Sequence, residues 1–194
     1  MPIRGEAGVG YVLDGGFDLP PLMLTPDEIE AAVLGAQWVA GRGDPALARA
    51  ALDLIAKIGA AVPERLRPLA LEPSARAATR WNIVPDSIDM AQVRHAIRNG
   101  HKIALSYRDE QERVSQRTVW PFAVGYHETV RLIIAWCELR TDFRSFRTDR
   151  VAGAEFLDER YPERPATLRA RYRKLVGEKM AQMGITPAPN GPDA

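Results

Sequence analysis

Asn99-Gly100-His101-Lys102-Ile103-Ala104-Leu105-Ser106-Tyr107-Arg108 is where this chain changes its hydrophobic period. From Lys102 onward Ile103, Leu105 and Tyr107 alternate with Lys102, Ala104 and Ser106, the period of a half-buried strand. Just before it, residues 87–98 read as a helix, and Asn99-Gly100 is a usual left-handed exit for one. After it, Asp109-Glu110-Gln111 makes a turn, and strands are expected at 113–120, 122–126, 130–137 and 143–147. Residues 151–157 extend the last strand or add another. Short strands with tight turns behind a single helix predict a small antiparallel β-barrel that closes its own edges.

Upstream, the chain reads as helical. Thr25-Pro26 with Glu28 has capping-box spacing, and Ile29, Val33, Ala36 and Val39 or Ala40 continue as one apolar stripe to Gly41 and Gly43. A second helix opens at Asp44-Pro45, carries Leu47, Ala51, Leu54, Ile55 and Ile58, and stops before Pro63. This antiparallel pair has alanine-rich faces, which suit an intramolecular core or a second copy of the chain. Pro63, Pro68 and Pro73 mark an internal boundary. At the N-terminus, Gly8 and Gly10 separate two short extended pieces and predict a hairpin. The spacing has neither the third glycine nor the following helix of a phosphate loop. An isolated hairpin is marginal in water, so it reads as the end of a larger unit.

Whole-chain numbers set the limits. With 194 residues, 26 basic and 25 acidic side chains and a formal charge of +1, the chain can build a real core and has no global pull toward nucleic acid or membrane. Any anion site has to be local. The single cysteine, Cys137, lies in an apolar strand, excludes an internal disulfide framework and fits a reducing cytoplasm. No membrane span or signal sequence is legible, so a soluble, cytoplasmic protein is expected.

The local candidate is residues 140–150, Arg-Thr-Asp-Phe-Arg-Ser-Phe-Arg-Thr-Asp-Arg. In an extended chain Phe143 and Ser145 share one face, Arg144 and Phe146 the other, and Arg147 returns to the Phe143 side. Either this is an exposed hairpin whose charges neutralise one another, or it is a fork-donor surface for phosphate or carboxylate. Arg144, Arg147 and Arg150 exceed what Asp142 and Asp149 can neutralise, which favours the second. Nothing catalytic is apparent: there is no nucleophile elbow, Cys-His pairing or carboxylate dyad. His95, His101 and His127 share no metal-ligand spacing, so no metal and no cofactor are expected, and the chain does not read as an enzyme.

Four blocks in order carry a resemblance: Ala96-Ile-Arg-Asn-Gly-His-Lys-Ile-Ala-Leu-Ser-Tyr-Arg108, Arg117-Thr-Val-Trp-Pro-Phe122, Ala135-Trp-Cys-Glu-Leu-Arg140 and Asp142-Phe-Arg-Ser-Phe-Arg-Thr-Asp-Arg150. They resemble the WYL domain of YafY-like bacterial transcriptional regulators, an Sm-like, SH3-type barrel. Arg4-Gly-Glu-Ala-Gly-Val-Gly-Tyr11 resembles the wing of their winged helix-turn-helix, and Phe17-Asp-Leu-Pro-Pro-Leu22 the segment that leads into their central helices. The Trp-Tyr-Leu that names the module falls where this chain has Arg131-Leu132-Ile133.

The resemblance implies an α+β chain: a remnant wing hairpin at 1–16, a helical linker and dimerisation region at 17–80, and a WYL-like barrel with its leading helix at 81–160. A C-terminal helix at 161–186 and a disordered tail at 187–194 follow. Function implied in the same way is effector sensing by a homodimer, the effector being a nucleotide or oligonucleotide. DNA would be reached only through a helix-turn-helix missing from this chain. Ser106 would offer a hydroxyl, Tyr107, Tyr126 and His127 stacking or hydrogen bonds, and Arg144, Arg147 and Arg150 phosphate contacts. From its alternation with Ile103 and Leu105, Tyr107 reads as core before platform, and His127 by default as a solvated turn residue. A module that binds single-stranded nucleic acid by itself and a protein-interaction adaptor are the competing functions.

Overall fold

The computed structural model describes residues 3–6, 10–13, 23–78, 83–127 and 129–184. Strands β1 (Ile3–Glu6) and β2 (Gly10–Leu13) pair antiparallel, with Ile3 opposite Leu13, as the glycine spacing predicts. The loop holding Gly8, the 17–22 segment and the 187–194 tail lie outside the described residues.

Helix α1 (Pro26–Arg42) begins on the capping box: the Thr25 hydroxyl accepts the Glu28 N–H, and the Glu28 carboxylate accepts the Thr25 N–H at 2.7 Å. Asp44 caps α2 (Pro45–Ala61) by accepting from the Ala46 and Leu47 amides. The proline-marked boundary is not a bare linker. It folds into a 3₁₀ turn (Glu64–Leu66) and a short helix α3 (Arg67–Leu71), with Pro68 in the first turn, where its missing N–H loses no helical bond. α3 closes the pair, since Ala70 joins Ile29 and Val33 in one buried cluster. A Cβ on Gly59 would stand 3.0 Å from Leu71, so α2 and α3 approach closely there.

Helix α4 (Met90–Asn99) starts three residues later than its sequence pattern suggested. Asp89 takes the capping role, accepting from Ala91 and Gln92, while Ser87 bonds the backbone of Thr148 and Asp149. Gly100 ends the helix at φ +70°, a conformation that a side chain would strain. Five strands follow: β3 (His101–Arg108), β4 (Val114–Tyr126), β5 (Arg131–Cys137), β6 (Asp142–Arg147) and β7 (Val151–Arg160). The segments expected at 113–120 and 122–126 are one strand. Its β5 ladder slips between Pro121 and Ala123, and a residue without an N–H is tolerated at such a bulge.

The sheet is antiparallel in the order β6-β5-β4-β3-β7 and it is open, which corrects the closed barrel expected from the strand pattern. After β6 a 3₁₀ turn (Thr148–Arg150) carries the chain to the far side, where β7 pairs with β3 rather than with β6. The Arg147 amide at the end of β6 donates instead to the Tyr107 hydroxyl of β3, at 3.2 Å.

One face of the sheet buries Ile103, Leu105, Val119, Ile133, Ala135, Cys137 and Phe146 against Met90, Val93 and Ala96 of α4. The other buries Phe122 and Tyr161 against Leu168 of α5 (Pro165–Gln182). Trp120 and Trp136 belong to this second face, where Trp120 stacks on Tyr161 at 5.9 Å. Helices therefore cover both sides of one sheet. No described helix is long and apolar enough to cross a membrane.

Candidate anion-binding edge and its link to the helices

Strand β6 and the turn after it form an edge of the sheet, and each of their arginines meets a carboxylate. Arg144 is 3.2 Å from Asp142, and Arg147 binds Asp149 with both ends of its fork, at 3.0 and 2.9 Å. Arg150 reaches Glu110 at 3.4 Å. Counting Asp142 and Asp149 leaves one arginine over; the third partner comes from the β3–β4 turn, which no local count includes. These pairs are at the surface, the arginine side chains being 54%, 37% and 27% exposed in chain order. The hydrogen bond from Arg147 holds the Asp149 carboxyl below its usual range, with burial opposing.

The other sequence candidates divide into two places. Tyr107 lies behind the edge: its ring meets Phe146 edge-on at 5.1 Å and its hydroxyl accepts from Arg147, so its contacts are those of the core. Ser106 stands opposite Gln116 and Gly153 within the sheet. Tyr126 ends β4 near α1, and His127 follows it in the turn. The Tyr126 ring packs edge-on to Trp38 at 5.5 Å, and burial pushes its phenol up. The His127 amide donates to Val130 and closes the turn. Tyr126 and His127 share a cavity of about 10 Å³ with Arg42, Thr129 and Arg131, far too small for a nucleobase.

Between Arg147 and Arg150 lies Thr148, 1% exposed. Its hydroxyl donates to Asp86 at 2.6 Å and approaches the Arg131 carbonyl at 3.2 Å. The other Asp86 oxygen accepts from the Arg131 guanidinium. That guanidinium also donates twice to the Arg42 carbonyl, at 3.0 and 2.6 Å, on the last residue of α1. Arg131, 7% exposed, thus links β5, the 83–89 segment and α1. It occupies the first position of the expected Trp-Tyr-Leu slot, so the departure from the motif is a different use of that position. Strand period could have found it, because Arg131 falls on the same buried face as Ile133, Ala135 and Cys137.

A second pair, Arg94 of α4 with the capping carboxylate Asp44, joins the sheet domain to α2. Burial pushes the Asp44 carboxyl up, but Arg94 and the helix amides outweigh it and hold the group below its ordinary value. A cleft of about 520 Å³ lies between the starts of α2 and α4. Its carboxylates Asp44, Asp86 and Asp89 already serve Arg94, Arg131 and the α4 amides, and their charge disfavours an anion there. Among the described residues no group of three or more His, Cys, Asp or Glu could hold a metal ion.

Residues 89–156, from the cap of α4 through most of β7, match the family model of the WYL domain, and a WYL domain is therefore present. Among solved structures, the chain is similar to proteasome accessory factor B/C (PafBC) of Arthrobacter aurescens, at 23% identity and a TM-score of 0.35. The match covers 74% of this chain and 22% of that one, so the chain spans about a fifth of that protein's length.

Proposed function

We propose, from a WYL domain bonded to the end of a helical hairpin, that this chain is the effector-sensing and dimerisation portion of a YafY-like bacterial transcriptional regulator. It acts as a cytoplasmic, non-enzymatic sensor. Its effector is a nucleotide or oligonucleotide, taken at the β6 edge and the 148–150 turn, and it reaches DNA only through a helix-turn-helix missing from this chain. Exposed Leu34, Leu52 and Leu54 on α1 and α2 support a homodimer through the hairpin.

The observation that carries this reading is the position of Thr148. A phosphate that draws Arg147 from Asp149 and Arg150 from Glu110 acts on the two neighbours of a buried threonine. That threonine bonds through Asp86 and Arg131 to the last carbonyl of α1. Differential binding to two positions of that turn biases the helices.

Fluorescence anisotropy with a labelled single-stranded oligonucleotide, competed by nucleotides between about 50 and 200 mM salt, tests it. The Arg147→Ala/Arg150→Ala variant is expected to bind at least about tenfold more weakly and to lower the salt slope by about one unit per arginine. Unchanged affinity in that variant would overturn the assignment.

A further inference from the structure

Buried polar groups in a folded protein normally find partners, and an exception needs a cause. Among the described residues two buried side-chain nitrogens have no hydrogen-bond partner, Nε of Arg42 and Nη1 of Arg117. Arg42 has a compensation, since its guanidinium lies over the Trp38 ring at 4.6 Å. Arg117 has no ion pair or ring contact among the described residues. Its Nε donates to the Ser115 hydroxyl at 3.0 Å, and that hydroxyl donates in turn to the Tyr107 carbonyl at 3.3 Å.

Strand register puts this arginine on the α4 side of the sheet. Arg117 stands opposite the buried Leu105, and Ser115 stands opposite Tyr107, whose ring meets Phe146 of β6. Arg144 belongs to the same face, because it pairs with the buried Ala135 and precedes Phe146 by two residues. The curl that brings Tyr107 to Phe146 thus sets Arg117 on the β4 wall and Arg144 on the β6 wall of one concave surface.

We propose that Arg117 is a further effector-binding residue: its guanidinium turns outward and, with Arg144, holds a phosphate on the α4-side face of the sheet. The proposal rests on the effector reading above and extends the site from the β6 edge onto β4. In the inward pose Nη1 is sealed from solvent and unmet, so a half-buried side chain bonded to a neutral hydroxyl loses little on leaving it. Ser115 keeps its bond to Tyr107 when the guanidinium departs. Arg144 leaves only a surface pair with Asp142 to make the same contact. A phosphate between two guanidinium forks offers charged acceptors to both. An unmet donor that costs stability in the empty protein fits a group held for a ligand.

Fluorescence anisotropy of the full chain with labelled oligothymidylate, together with urea unfolding, tests it. Arg117→Met keeps an unbranched stem and removes the guanidinium. It should bind at least about tenfold more weakly, lower the salt slope by about one unit, and unfold at the same or a higher urea concentration. Adding Arg144→Ala to Arg117→Met should cost less affinity than Arg144→Ala costs in the parent chain, because both side chains meet one phosphate. Parental affinity or an unchanged salt slope in Arg117→Met would overturn the proposal, and so would strict additivity with Arg144→Ala. A lower urea midpoint or loss of the fold would overturn it too, since the guanidinium would then be a structural member of β4. The Arg147→Ala/Arg150→Ala variant separates the two levels. If it weakens binding and Arg117→Met does not, this site fails and the edge stands; if neither weakens binding, the effector reading itself fails.

Discussion

Arg131 and Arg147 stand one register position apart across the β5–β6 ladder, where Leu132 faces Arg147, yet their surroundings differ sharply. The Arg131 side chain is 9% exposed and bound to a carboxylate and a carbonyl from two other segments; that of Arg147 is 37% exposed and bound to a carboxylate two residues away. What separates them is the face of the sheet. An arginine pointing inward among Ile133, Ala135 and Cys137 must find every partner inside the protein, because a buried unpaired charge is far more costly than an exposed one. An arginine on the edge can exchange its carboxylate for a ligand's. Residue type therefore says little about duty until the face is known.

The largest expected effect tests the inward member. Arg131→Met removes the guanidinium and leaves Asp86 buried beside Thr148, so unfolding free energy in urea should fall by about 3–5 kcal/mol. Removing both charges in Arg131→Met/Asp86→Leu should recover much of the loss, since a buried pair can be replaced by apolar side chains at little net cost. A single variant as stable as Arg147→Met would erase the contrast.

That contrast also marks how far the sequence could be read. Helix boundaries were legible where their determinants are local: Thr25 with Glu28 starts α1, Asp44 before Pro45 starts α2, and Gly100 after Asn99 ends α4. The strands were legible from their period of two. Sheet closure was not, because whether β7 pairs with β3 or β6 depends on how the turn at Thr148 redirects the chain. The arginines were misjudged in both directions for the same physical reason. Glu110 reaches Arg150 across forty residues, and Arg131 finds its acceptor at Arg42, 89 residues away. Neither separation leaves a trace in local charge counting. Arg131 alone had a readable signal, its place in the buried phase of β5.

An intermediate effect belongs to Arg94–Asp44, which like Arg131 links the helical hairpin to the elements around the sheet, with somewhat more exposure on the arginine side. Asp44→Asn keeps a capping side chain but removes the charge opposite Arg94, and should lower stability by about 1.5–3 kcal/mol at neutral pH. Because the folded-state value of the Asp44 carboxyl lies below its ordinary one, its contribution is complete above about pH 4. It disappears as pH falls through the folded value, since the unfolded chain takes up the proton first. Urea midpoints against pH should show a shallower acid limb in Asp44→Asn than in the parent chain. Identical limbs would mean that Arg94 gains nothing from this carboxylate.

The smallest effect is expected at the edge, and its smallness matters to the argument. Arg144→Ala, Arg147→Ala and Arg150→Ala each remove one surface pair and should each change stability by less than about 1 kcal/mol. Raising the salt concentration should shrink even that difference, because these pairs are open to counterions while Arg131 is not. Asp149 sets the sign with pH: held below the ordinary range mainly by the Arg147 hydrogen bond, it contributes above about pH 4 and loses that contribution in acid. Edge variants that destabilise as much as Arg131→Met would make these arginines structural members of the turn. Variants that leave stability intact while weakening the anion titration would separate binding from folding at neighbouring positions of one sheet.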